Sequence, residues 1–139
     1  MGVIIGERLN RIYAERKKLA QQMEIKVEPK IIDVQKLEAA IIGVRKPGLR
    51  FAFNFDVSYG KNGAAGKIEV LGDIFYSGDE KEVKKLEADW KKEKKVVDDN
   101  IKIAITNRIL ELGYLQAIAL ANHVKLPAPL RMPRIVAKK

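Results

Sequence analysis

The chain has no cysteine and one histidine, His123. That removes disulfides, thiolate metal sites and a cysteine nucleophile. It also removes any site that needs two histidine ligands. Tryptophan occurs once and aromatics make up 6% of 139 residues. No apolar run reaches the ~18 residues that mark a membrane span. The first seven residues are too short and too soon charged for a secretory signal, so a cytosolic protein is expected. Hydrophobic residues nevertheless make up 47%. That is enough for a packed core, and the length fits one domain over residues 1–139.

The formal charge is +9, and its location matters more than its size. Residues 79–99 carry 7 basic and 8 acidic side chains, so the lysine-rich stretch 91–95 lies in a near-neutral segment. Residues 100–139 carry 7 basic and 1 acidic. The surplus is C-terminal.

Ile5, Leu9, Ile12, Leu19 and Met23 recur at helical spacing, which predicts a helix over residues 5–23; a strand at residues 11–14 is the alternative. Ile25, Val27, Ile31, Ile32 and Val34 flank Pro29, which predicts an edge strand, since proline cannot donate to a central ladder. Residues 39–44 form a second short apolar run, closed by the turn Lys46-Pro47-Gly48. Residues 49–59 carry the clearest pattern: Leu49, Phe51, Phe53, Phe55, Val57 and Tyr59 fill every odd position. A strict period of two is a strand with one buried face. Gly60-Lys61-Asn62-Gly63 reads as a hairpin turn leading to Ile68, Val70, Ile74 and Tyr76, with Gly72 marking a bulge. Ser77-Gly78-Asp79-Glu80 reads as a capping box with Ser77 at the cap. Val83, Leu86 and Trp90 then make a thin helical stripe, supported by the pairs Glu80–Lys84 and Glu87–Lys91. Residues 101–124 are apolar on nearly every side: Ile101, Ile105, Ile109 and Leu112 make one stripe, which Leu115, Ile118, Ala119 and Leu120 continue after Gly113. Such a helix is a core helix or packs on another subunit. Pro127, Pro129 and Pro133 make the end an extended strap that packs back on the domain or on a neighbouring subunit.

No motif carries chemistry. His123 has no orienting partner. Asp98-Asp99 suits a helix start better than a metal. Gly60 to Gly66 lacks the phosphate-loop pattern. Phe51, Phe53 and Phe55 could stack bases, but three aromatics on one strand face are more often core. Basic side chains that could contact phosphates are Arg108, Lys125, Arg131 and Arg134.

Several ordered segments resemble a family of archaeal proteins related to the SecB export chaperone. They are Arg11-Ile12-Tyr13-Ala14-Glu15-Arg16-Lys17, the Phe-rich strand, Gly72-Asp73-Ile74-Phe75-Tyr76-Ser77-Gly78-Asp79, Trp90, Asn107 and Leu126-Pro127-x-Pro129-Leu130-x-x-Pro133-Arg134. The resemblance implies an α+β fold: a four-stranded antiparallel sheet packed by C-terminal helices, here with an N-terminal helix added. It implies dimers or tetramers and a holdase that binds unfolded polypeptide. Such binding would rest on apolar area and main-chain pairing at a sheet edge, and the contact residues expected for it are Ile12, Tyr13, Phe75 and Leu130. No enzyme activity and no cofactor is expected. Bacterial relatives are acidic and dock on a translocation ATPase; a chain at +9 does not carry that partnership. The alternative function is a basic RNA- or ribosome-associated protein.

Overall fold

A computed structural model describes residues 2–17, 24–37, 47–127 and 129. Four strands precede two helices: β1 (Val3–Arg16), β2 (Ile25–Leu37), β3 (Gly48–Tyr59), β4 (Gly66–Ser77), α1 (Glu80–Glu93) and α2 (Asp99–Val124). The strands form one antiparallel sheet in the order β1-β4-β3-β2. β2, β3 and β4 follow one another as neighbours. β1 lies beyond β4, so the chain crosses about 14 Å of sheet end between β1 and β2. The architecture is α+β, as the resemblance implied. The apolar run 39–44 lies outside the described residues.

That corrects the expected N-terminal helix: residues 3–16 are strand. The error has a physical origin. β1 pairs with β4 through two irregularities, which leave Ile5 and Asn10 without partners. Each bulge adds one residue and shifts the phase of the alternation. Ile4, Glu7, Leu9, Ile12 and Ala14 therefore sit opposite Tyr76, Ile74, Gly72, Val70 and Ile68 and share their face. Steps of three and two imitate helical spacing. β2 repeats the device at Ile32, so that Ile31 and Val34 both face the core, opposite Phe53 and Phe51. The expected bulge at Gly72 is thus real but lies on the partner strand, opposite Gly72. The glycine itself leaves room for the Phe53 ring, whose Cζ would stand 2.9 Å from a Cβ at that position.

β3 follows its pattern. Leu49, Phe51, Phe53, Phe55, Val57 and Tyr59 are all fully buried. Each large side chain removed from water contributes about 2–3 kcal/mol, which makes β3 the centre of the core. The three phenylalanines are core and offer no stacking platform. The Gly60–Gly63 turn is as expected, with positive φ of 79° at Gly60 and 73° at Gly63 that glycine tolerates best.

Both helices cover one face of the sheet. α1 lies over β2 and β3 on Val83, Leu86 and Trp90, and α2 touches all four strands. The cap of α1 is Asp79, not Ser77. The Ser77 hydroxyl donates instead to the Pro47 carbonyl at 3.1 Å, which ties the end of β4 to the start of β3. Residues 94–98 separate the helices. Asp98 caps α2 by accepting from the Ile101 N–H at 3.2 Å, so this acidic pair does open a helix. After α2, Leu126 is buried and Tyr59 donates to the Pro127 carbonyl at 2.7 Å. The start of the proline strap therefore packs on the domain; residues 130–139 lie outside the described residues.

Candidate polypeptide-binding site

β1 and β2 are the two edges of the sheet, and they are built differently. β2 carries Pro29, the Ile32 bulge and Lys26, Lys30 and Lys36 along its length. These are the features that blunt an edge against strand addition. β1 has fourteen residues and no proline. Its outer row of backbone groups has no strand partner among the described residues.

Apolar side chains are exposed along that edge. Val3, Ile5, Leu9 and Ile12 are exposed, Ile12 by 48%. Leu9 and Ile12 point to the helix side of the sheet, opposite Gly72 and Val70. α2 packs over β1 on the same side. Leu115 (63%) and Ile118 (37%) are exposed on α2, as are Ala119 and Asn122. Their spacing of i, i+3, i+4 and i+7 makes one outward stripe, apolar up to Asn122 at its polar end. Of the two readings of this helix, a core helix or one with a face left for another subunit, the first does not hold at Leu115 and Ile118, which lie outside the core. Beyond Gly113 the buried positions are Tyr114, Ala117 and Ala121, so the inward face rotates around the helix. The rotation is gradual: Ile101, Ile105, Ile109, Gly113, Ala117 and Ala121 recur every four residues, a drift of about 40° per step. Gly113 lets α2 sit directly on the Phe55 ring, with the Tyr114 ring 5.3 Å away at 67°.

The expected contact residues are not brought together. Ile12 is exposed on the helix side. Tyr13, its neighbour, faces the opposite side, and its hydroxyl donates to Glu15 at 2.6 Å. Phe75 is also on the open face, half-buried beneath the Arg8 guanidinium, which stands 5.5 Å from its ring centre. Leu130 lies outside the described residues. Leu9 was visible in the sequence as an apolar position of the N-terminal stripe; the outward turn of Leu115 and Ile118 was not.

The open face is polar and neutralises itself. Its centre is Asp73, fully buried, which accepts from Arg8 Nη2 at 2.7 Å, Asn10 Nδ2 at 2.8 Å and Arg50 Nη1 at 2.8 Å. Burial pushes the Asp73 carboxyl up, but the hydrogen bonds from Asn10 and Arg8 and the charge of Arg50 hold it below its usual value. Asn10 is the bulged residue, so the irregularity in β1 aims a donor at this carboxylate. The Gly-Asp-Ile-Phe-Tyr segment that carries much of the family resemblance is thus structural. Its glycine admits Phe53, its aspartate ties β4 to β1 and β3, and its tyrosine packs edge-on against Phe51 and donates to Glu82 of α1.

Two rows away, Glu28, Asp56 and Glu69 lie side by side across β2, β3 and β4. Burial, then the charges of Glu69 and Glu28, raise the Asp56 carboxyl above its usual value. A carboxylate with a raised folded pKa weakens the fold when ionised and ceases to do so once protonated. Asp56→Asn should therefore stabilise the protein at pH 7, by about 0.5 kcal/mol given its partial exposure to water. The gain should vanish as pH falls through the carboxylate range. Urea melts at pH 7 and pH 4 test this; an equal effect at both would show that ionisation is not the cause.

The basic residues fare unevenly. Arg108 is committed to Glu7 of β1, bonded to both carboxylate oxygens, and to Glu111 at 3.1 Å. It clips α2 to β1 beside a cleft of about 370 Å³ lined by Ile4, Ile5, Gly6 and Glu7. Lys125 is exposed at the end of α2 with φ of 59°. Arg131 and Arg134 lie outside the described residues. His123 is exposed in the last turn of α2. Among the described residues no group of three or more His, Cys, Asp or Glu is placed to hold a metal, and no helix is long and apolar enough to cross a membrane.

No family model matches the sequence, and no curated protein matches it as a relative. The fold is that of the SecB-like chaperone Rv1957 of Mycobacterium tuberculosis, a structure solved in complex with a ChAD peptide from the HigA1 antitoxin Rv1956. The two superpose with a TM-score of 0.57 at 14% identity, over 98% of this chain and 90% of that one.

Proposed function

We propose that this chain is a SecB-like holdase, one domain that binds unfolded polypeptide without catalysis. The observation that carries the reading is the β1 edge, without a strand partner among the described residues, beside exposed Leu9 and Ile12. An extended client would pair its main chain with β1 and lay alternate side chains over this apolar strip. The shared fold with a chaperone solved with a bound peptide supports the same reading. The outward stripe of α2 is a separate surface. Leu115, Ile118 and Ala119 would pack against the same stripe of a second copy, giving a homo-oligomer around a two-fold axis.

Two variants separate the surfaces. Ile12→Asp should weaken binding of a permanently unfolded polypeptide by about tenfold or more, the loss of one buried apolar side chain. It should leave the oligomer intact. Leu115→Glu with Ile118→Lys should dissociate the oligomer in light scattering. Client affinity of the wild type should change little with salt. If Ile12→Asp binds client normally but sediments as a monomer, β1 is the subunit interface and the assignment is wrong.

A further inference from the structure

α2 delivers the chain to one end of β1. A Cβ on Gly66, the first residue of β4, would stand 3.2 Å from Leu126 Cδ1 and 3.3 Å from the Cα of Arg16, the last residue of β1. Leu126 therefore sits where β4 meets the end of β1. Tyr59, the partner of Gly66, holds the Pro127 carbonyl at the same end, and Pro129 is buried as well. From this end, Ile12 and Leu9 lie opposite Val70 and Gly72, four and six positions along β4 from Gly66. That is about 13 and 20 Å. Both side chains are exposed on the helix side. On the other edge strand, Val27 and Ile31 are already half-buried against the core, and Ile25 is exposed at the near end.

We propose that the chain's own C-terminal segment, residues 130–136, competes with client for the Leu9–Ile12 strip. The inference rests on the holdase reading and adds its regulation. Pro127, Pro129 and Pro133 favour a polyproline helix. At three residues per turn, the face that buries Pro129 continues with Met132 and Ile135, while Arg131 and Arg134 share another face. At about 3.1 Å per residue, Met132 would stand about 9 Å beyond Pro129 and Ile135 about 19 Å. Ile135 then meets Leu9, and the long, adaptable Met132 side chain reaches Ile12. A segment tethered this closely acts at an effective concentration on the order of millimolar, so a client at micromolar concentration must displace it. Displacement is possible because proline has no N–H: the segment covers apolar side chains but cannot complete the β1 ladder, which a client can.

The test uses reduced, carboxymethylated lactalbumin as client. Ending the chain at Pro129, which keeps Leu126 and Pro127 in place, should raise client affinity by about three- to tenfold, as for a strip open in about a third to a tenth of molecules. In the full chain, Met132→Ser with Ile135→Ser should do the same. Leu130→Ser with Val136→Ser, on a different face, should not. The chain has no cysteine, so contact can be read directly. Ile12→Cys with Met132→Cys should form a disulfide within one chain under mild oxidation, more slowly when client is added. Ile25→Cys with Met132→Cys should not. If the truncated and full chains bind client equally, the segment does not compete and the proposal falls while the holdase reading stands. If neither binds client, the holdase reading falls and takes the proposal with it. Cross-linking at Ile25, or between two chains, would overturn the proposal alone.

Discussion

Replacing Gly113 by alanine is expected to destabilise the protein, against the usual sign for a helix. In an exposed helix interior the change would add about 1 kcal/mol, because alanine is the better helix former. Here a Cβ would overlap the Phe55 ring at Cγ, Cδ1 and Cδ2. Phe55 is fully buried at the centre of β3 and packs edge-on against Tyr114 of the same helix. It has nowhere to move, so α2 must lift. Overpacking of this kind costs about 1–3 kcal/mol, and here it must exceed the propensity gain. The expected result is a melting temperature lower by several degrees, about 3–5 °C for each kcal/mol at this size. Phe55→Leu in the Gly113→Ala background should recover part of the loss, although it is destabilising alone. Such non-additivity is what direct contact predicts. A Gly113→Ala protein more stable than the wild type would show that α2 does not rest on Phe55.

The second large effect is expected at Asp73. Its side chain is fully buried on a face that is otherwise open to water, and two arginines and an asparagine converge on it. Asp73→Ala would leave Arg50, itself three-quarters buried, with the Asp33 carboxylate at 3.7 Å as its one acidic partner among the described residues. Removing one member of such a buried set costs about 3–5 kcal/mol. Arg8 is half-exposed and can turn to water, so the lower end, about 3 kcal/mol, is expected here. Asp73→Asn keeps the shape and some hydrogen bonds and should cost less. The pH dependence follows from the lowered carboxyl pKa. The stabilisation is present above the unfolded value and is lost as pH falls through the depressed folded value. The wild type should therefore lose stability below about pH 4, and Asp73→Ala should lose less over the same window. Urea midpoints from pH 7 to pH 2 measure both. Parallel curves would show that the carboxylate charge contributes nothing to the fold.

Much of this fold was legible in the amino-acid sequence, for reasons that are local. Residues 49–59 announce a strand because alternation has no other physical meaning over eleven positions. The Gly60–Gly63 turn follows from the φ that glycine permits. Val83, Leu86 and Trp90 mark one side of α1, and Asp98 starts α2 because a carboxylate can accept from exposed helix N–H groups. The proline strap begins as expected, held by buried Leu126 and by the Pro127 carbonyl that accepts from Tyr59.

What only the tertiary structure decided is whatever depends on a partner strand or helix. β1 reads as a helix because its bulges at Ile5 and Asn10 shift a period of two into steps of three; the bulges exist only through pairing with β4. Ile12 and Tyr13 are adjacent in sequence, yet the pleat sends them to opposite faces. The inward face of α2 drifts around the helix from Ile101 to Ala121, and in a segment apolar on nearly every side only the sheet beneath decides which apolar residues are covered. Local chemistry fixes which elements can form, while packing across the sheet decides which of their faces remain exposed and able to bind.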